Sequence, residues 1–160
     1  MIQYVLHVYD MNLGFAKRLV GDLSDDQMCA QPHGVVNHPA WSLGHLAVAA
    51  DRVATLLGLS SELPAGWEST FKTGGTPSPD KNVFPVKDEI LRVLAAQHAR
   101  VAEALSTADA AALAQPHPNE KRRDHFPTVG DFAIFLVTGH EMDHLGQIAA
   151  WRRAMGLGSA

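Results

Sequence analysis

Cysteine is nearly absent from this chain. Cys29 is the only one in 160 residues, so no internal disulfide can form, and a reducing compartment fits. It lies in a polar stretch with no motif around it, which argues against a nucleophile. Basic charge is short as well: 13 Lys and Arg stand against 17 Asp and Glu, a net charge of -4. That balance argues against electrostatic capture of nucleic acid or an anionic membrane. The one basic run, Lys121-Arg122-Arg123, falls in an expected loop and reads as a solvated segment. No apolar run approaches the length of about 20 residues that crosses a bilayer. The first residues include Tyr4, His7 and Asp10, without the cationic and apolar regions of a signal peptide. A cytoplasmic protein is expected. Sustained apolar alternation is also missing, which removes a half-buried sheet.

What is present is the composition of a globular domain, 46% hydrophobic and 19% charged, read as one unit over residues 1–160. Four segments carry helical periodicity. The first, about 2–21, repeats apolar residues from Ile2 through Tyr9 to Val20. The second, about 39–57, opens on Pro39 with Asn37 or His38 as cap and stops at Gly58. The third, about 86–106, follows Pro85. The fourth, about 129–155, starts after Thr128 with Asp131 as capping-box partner and ends near Gly156. The expected fold is all-α. The connections 22–38, 58–85 and 107–127 are long for a simple up-down bundle. The central one, with Pro64, Gly66, Gly74, Gly75, Pro77 and Pro79, can travel a full helix length, so that the second and third helices run parallel.

The fourth helix contains His140-Glu141-Met142-Asp143-His144, an H-E-x-x-H. Two histidines four apart on a helix lie about 6 Å apart along the axis and point the same way, so they can share a metal. With nine His and six Glu in the chain, the full motif is expected by chance only about 0.02 times. The same spelling marks zinc proteases. Those take a third ligand downstream, and the tail from Leu145 to Ala160 holds no His, Asp, Glu or Cys. The chain also lacks a sheet against which a peptide could lie. The protease reading fails on both counts.

His140 and His144 fall on the apolar stripe with Val129, Ala133, Leu136, Gln147 and Trp151. Each needs a buried polar partner, and a shared metal supplies one. A third ligand must come from upstream. The best candidate is His45 in Trp41-Ser42-Leu43-Gly44-His45-Leu46, with His38 in reserve. Gly44 and Gly139, each just before a candidate ligand, suggest either close approach or plain helix packing. His7 and His98 sit singly on helices, and His33, His117 and His125 lie in or beside loops. Asp143, near the buried face, and Glu141, rotated about 100° from His140 and expected to face solvent, are candidates for a carboxylate that orients a histidine or acts as base. Trp41 and Gln147 are candidates for the pocket wall.

At these residues the chain resembles the DinB/YfiT-like superfamily of metal-dependent enzymes. The matching pieces are Asn37…Trp41-x-x-Gly44-His45-Leu46 and His140-x-x-x-His144-x-Gly146-Gln147-Ile148. The middle stretch, from Leu63-Pro64 through Gly66-Trp67, Phe71 and Pro77 to Phe84-Pro85, is similar to one branch. The resemblance implies a four-helix bundle of up-down-down-up topology, usually homodimeric. It also implies a divalent metal, zinc or nickel, on three histidines that correspond to His45, His140 and His144. A basic residue is common in relatives where Leu145 stands here, a departure that would alter the pocket rim. Several relatives resemble thiol-dependent transferases or isomerases that use glutathione, mycothiol or bacillithiol. The expected function is therefore that of a small-molecule enzyme, either a thiol-dependent transferase or isomerase or a metal-assisted hydrolase. The alternative is a non-catalytic dimeric bundle, a stress-related or binding protein with a structural metal or none. A fourth protein ligand, such as His38 or Asp143, would favour that alternative.

Overall fold

A computed structural model describes residues 2–158. In chain order the helices are α1 (Ile2–Val20), α2 (Asp25–Met28), α3 (Pro39–Leu56), α4 (Trp67–Thr70), α5 (Lys87–Thr107), α6 (Ala110–Leu113), α7 (Val129–Phe135) and α8 (Glu141–Ala154). A π-helical turn over Leu136–His140 joins α7 to α8. Among the described residues there is no strand, only an isolated bridge between Pro116 and Thr128. The protein is all-α, as its periodicity implies.

Local chemistry sets the ends of the long helices. His38 is the cap of α3: its Nδ1 accepts the Trp41 backbone N–H at 3.2 Å, and Pro39 follows in the first turn. Thr128 and Asp131 close the expected capping box of α7. Gly156, at φ 72°, ends α8 in the left-handed region that favours glycine. The long connections are not bare loops. They fold into α2, α4 and α6, each four residues long and too short to leave a period in the sequence. A capping box between Ser24 and Gln27 starts α2.

α3 is buried along nearly its whole length, packing most extensively on α5 and also on α8, while α1 lies against α5 and α8. Its Ala-rich, almost uncharged sequence suits an interior helix. Polar bonds tie the frame together. Arg152 of α8 donates to the Leu19 carbonyl at 2.8 Å and to both oxygens of Asp22 at 2.6 and 2.9 Å. Arg100 of α5 pairs with Asp51 of α3 at 3.2 Å.

Two apolar clusters fill the interior. One contains Trp41, Leu46, Phe71, Ile90 and Trp151, the other Tyr9, Val53, Val101, Phe132 and Val137. Along α3 the change from one cluster to the other falls between Val48 and Ala49, one turn past His45, and along the last helical run it falls between Val137 and Leu145, where His140 and His144 stand. The polar site therefore sits at the seam between two dry cores.

The single helix expected over 129–155 is interrupted by the π turn. Such a turn inserts one residue and resets the rotation of the helix beyond it. Within it, the Val137 carbonyl accepts Asn12 Nδ2 at 3.5 Å, and Thr138 Oγ1 donates to the Ile134 carbonyl at 2.6 Å.

Candidate metal centre

His45 lies in the second turn of α3, His140 closes the π turn, and His144 stands one turn further on in α8. One ring nitrogen from each lies within 4.8 Å of those of the other two. His45 Nδ1 is 2.8 Å from the Phe71 carbonyl. A carbonyl only accepts, so Nδ1 carries the proton and Nε2 offers a lone pair. That Nε2 is 3.3 Å from Nε2 of His140. Two nitrogens bound to one tetrahedral ion at about 2.0–2.1 Å lie about 3.3–3.4 Å apart. The donor set and its spacing fit a divalent ion such as zinc. Nδ1 of His140 and Nδ1 of His144 are buried without a protein partner, a deficit unusual for a finished core.

Burial holds the three imidazoles neutral. It lowers His144 to about 3 and His140 to about 4, with the neighbouring histidines adding to the effect, and it lowers His45 too. The Arg52 guanidinium pushes His45 and His140 in the same direction. Neutral imidazole is the form that binds metal.

No fourth protein ligand joins the group among the described residues. His38 is spent on its cap and on the Ser78 carbonyl, 2.9 Å from its Nε2. The two carboxylates exchange the places expected of them. Asp143 is exposed and accepts from Gln147 Nε2 at 3.0 Å. Glu141 is buried, 5% exposed, with Oε2 unpartnered and its carboxyl beside Asn12. The reason is that α8 packs against α1 as well as α3, so its buried arc is wider than the single stripe drawn from the sequence. Neither carboxylate hydrogen-bonds a histidine. The group that orients His45 is the Phe71 carbonyl, on a connecting segment, which no side-chain motif can reveal.

Trp41 stacks on His45 with ring centres 4.9 Å apart and planes 7° from parallel, and also approaches His144. It walls the site. Gln147 stands back from it and accepts from Asn37 Nδ2 at 3.0 Å, tying the residue before the α3 cap to α8. Leu145 is in the core, not at the rim. Gly44 does serve close approach, but of the Phe71 ring: a Cβ there would lie 2.2 Å from a ring carbon. Gly139 has only ordinary contacts.

Beside the histidines is a cavity of about 150 Å³ whose lining includes His45, His140, Arg52, Thr73, Arg122 and Phe132. Arg122 belongs to the run expected to be solvated. It stacks over Phe132, 5.1 Å from the ring centre, while Arg123 turns to the His117 carbonyl and Glu120. Lys121 and Arg122 are exposed, as a solvated run implies; that Arg122 stands at the rim of this cavity depends on the tertiary fold.

With this geometry in view, the chain matches the DinB superfamily over residues 15–148. It belongs to that superfamily. A crystal structure titled as a conserved protein from Enterococcus faecalis superposes with a TM-score of 0.80 at 17% identity, covering 98% of each chain; at that identity the likeness concerns the fold. No curated protein matches the sequence.

Glu141 gives a pH test. Burial raises its carboxyl from the usual 4.5 to about 8, so between those values the folded state holds a proton that the unfolded state has lost. The contribution of Glu141 to stability is then full below about 4.5 and is lost as pH rises towards 8. Glu141→Gln, measured by urea unfolding of metal-free protein from pH 6.5 to 8.5, above the range in which the histidines take up protons, is expected to flatten that decline. An unchanged slope would mean that Glu141 is charged in the fold.

Proposed function

We propose that the protein is a divalent-metal-dependent enzyme acting on a small molecule. The carrying observation is the convergence of His45, His140 and His144 without a fourth protein ligand, beside a cavity lined by two of them. Structural zinc normally takes four protein ligands, whereas catalytic zinc takes three and leaves a position open. A zinc or nickel ion held there would supply a Lewis acid that keeps a bound thiol or water deprotonated near neutral pH. The chain's part is to hold the imidazoles neutral, to fix His45 through Phe71, and to shield one side with Trp41. Asp143 contributes a negative charge near His140.

Of the chemistries open to such a site we favour transfer or isomerisation with a low-molecular-weight thiol, ahead of metal-assisted hydrolysis. The test is turnover of an electrophile by metal-loaded protein with glutathione, mycothiol or bacillithiol. Thiol-dependent turnover that chelation abolishes is expected; silence across the panel would remove the thiol reading and leave hydrolysis.

The same proposal takes the long helices as a four-helix bundle of up-down-down-up topology. Supporting it, Leu19 and Asn12 of α1 meet Arg152 and Val137 in the same chain direction, whereas Asn37 and His45 meet Gln147 and His140 in the opposite one. Tyr4, Val8 and Met11, exposed along one face of α1, suit a homodimer. Among the described residues no helix is long and apolar enough to cross a membrane. Cys29, buried with its thiol pushed up to about 11, suits a reducing cytoplasm without a catalytic role.

A further inference from the structure

The cavity beside the histidines does not end there. A second hollow of about 400 Å³ shares Arg52, Thr73, Arg122 and Phe132 with it and adds Lys72 and His117. No Asp or Glu lines either one. In a chain with net charge -4, that is a local reversal of sign.

The cations here are also uncommitted. Arg92, Arg100, Arg123 and Arg152 each hold a carboxylate. Among the described residues, Arg52, Lys72 and Arg122 form no salt bridge and no side-chain hydrogen bond of their own. The exposed Arg122 guanidinium lies over the Phe132 ring with its N–H groups unpaired, and a guanidinium fork suits bidentate binding of an oxyanion. His117 adds a donor. Its Nδ1 lies 3.0 Å from the Asn119 backbone N–H and 3.2 Å from the Asn119 carbonyl; in the tautomer set by the shorter contact Nδ1 accepts and Nε2 carries the proton, and Nε2 is buried without a partner. The His117 ring packs edge-on against Phe132, so the same phenyl ring contacts both donors. Arg52 lies seven residues after His45 on α3, hence on the same face and about 10 Å further along the axis.

We propose that Arg52, Lys72 and Arg122, with His117, form a subsite for the carboxylate or phosphate group of the small-molecule substrate or co-substrate, whose reacting end faces the three histidines. The placement of the reacting end rests on the metal-centre reading; the anion subsite does not. The ligand class is therefore a compact anionic molecule spanning on the order of 10 Å or less.

Calorimetric titration at low ionic strength tests this, using malonate, inorganic phosphate and neutral malonamide on metal-loaded and on chelator-treated protein. Wild type is expected to bind at least one of the anions in both metal states and malonamide in neither, and the preference between malonate and phosphate names the group. Arg52→Gln/Arg122→Gln should weaken anion binding at least tenfold while metal content is unchanged. Arg18→Gln, which alters an arginine over Phe15 on α1, should bind like wild type. Anion binding no tighter than malonamide would overturn the subsite. So would binding that survives the double substitution, or binding that vanishes with the metal. A protein that takes no metal yet binds anions through Arg52 and Arg122 would sink the metal-enzyme reading and uphold the subsite.

Discussion

Replacing His45 by alanine is expected to lower divalent-metal affinity by about 10²–10³-fold while the protein stays folded. Tetrahedral zinc sites are worth about 10–16 kcal/mol over four ligands, so one ligand accounts for roughly 3–4 kcal/mol, and each 1.4 kcal/mol is tenfold. His144→Ala should act alike. Both substitutions also remove an imidazole that burial makes costly to protonate. In metal-free protein, the lowered values of His144 and His140 mean that the unfolded chain binds protons, below its usual 6.5, that the folded one refuses. Stability of metal-free wild type should thus fall as pH drops from about 6.5 towards 4, and His144→Ala should soften that fall. His38→Ala is the control. It removes a helix cap worth about 0.5–2 kcal/mol and should leave metal affinity at the wild-type level. Loss of metal on His38→Ala, or retention on His45→Ala, each read by competition with a chromophoric chelator, would contradict the ligand set.

Gly44→Ala is expected to damage stability and metal binding together. The new Cβ would lie 2.2–2.4 Å from three carbons of the Phe71 ring. That ring is fully buried between Trp67 and Phe84, so it cannot swing aside cheaply. Overpacking of this kind costs about 1–3 kcal/mol, or roughly 2–10 °C in Tm for a domain of this size. Displacing the ring also strains the segment whose carbonyl holds His45 Nδ1. Loss of such an orienting bond costs about 10–100-fold in metal affinity. Gly146→Ala offers the contrast, because a Cβ there meets nothing within 4 Å and the position is exposed within α8. It should raise stability by about 0.5–1 kcal/mol. If Gly44→Ala behaves like Gly146→Ala in thermal melts and metal titration, the link from Phe71 to His45 is not what shapes the site.

The parts of this protein that could be read from its residues are those carried by local signals. Pro39 after a capping His38 and Thr128 before Asp131 fix two helix starts because caps are short-range chemistry. Two histidines four apart share a face by helix geometry alone, and His45 stood out as a polar residue in an apolar helix. Glu141 and Asp143 were misplaced because one helix packing against two neighbours buries a wider arc than a single stripe shows. The π turn leaves no period of its own. Arg122 and His117 belong to a connection whose path is set by what it packs on, here Phe132, and the Phe71 carbonyl is a backbone group that any residue could provide.

The most direct measurement is the metal content of protein purified without an affinity tag, by elemental analysis, with His45→Ala and His144→Ala prepared alongside. About one divalent ion per chain in wild type, and none in either variant, is the expected result. A wild type that holds no stoichiometric metal even after incubation with zinc and nickel, or variants that retain it, would contradict the three-histidine centre.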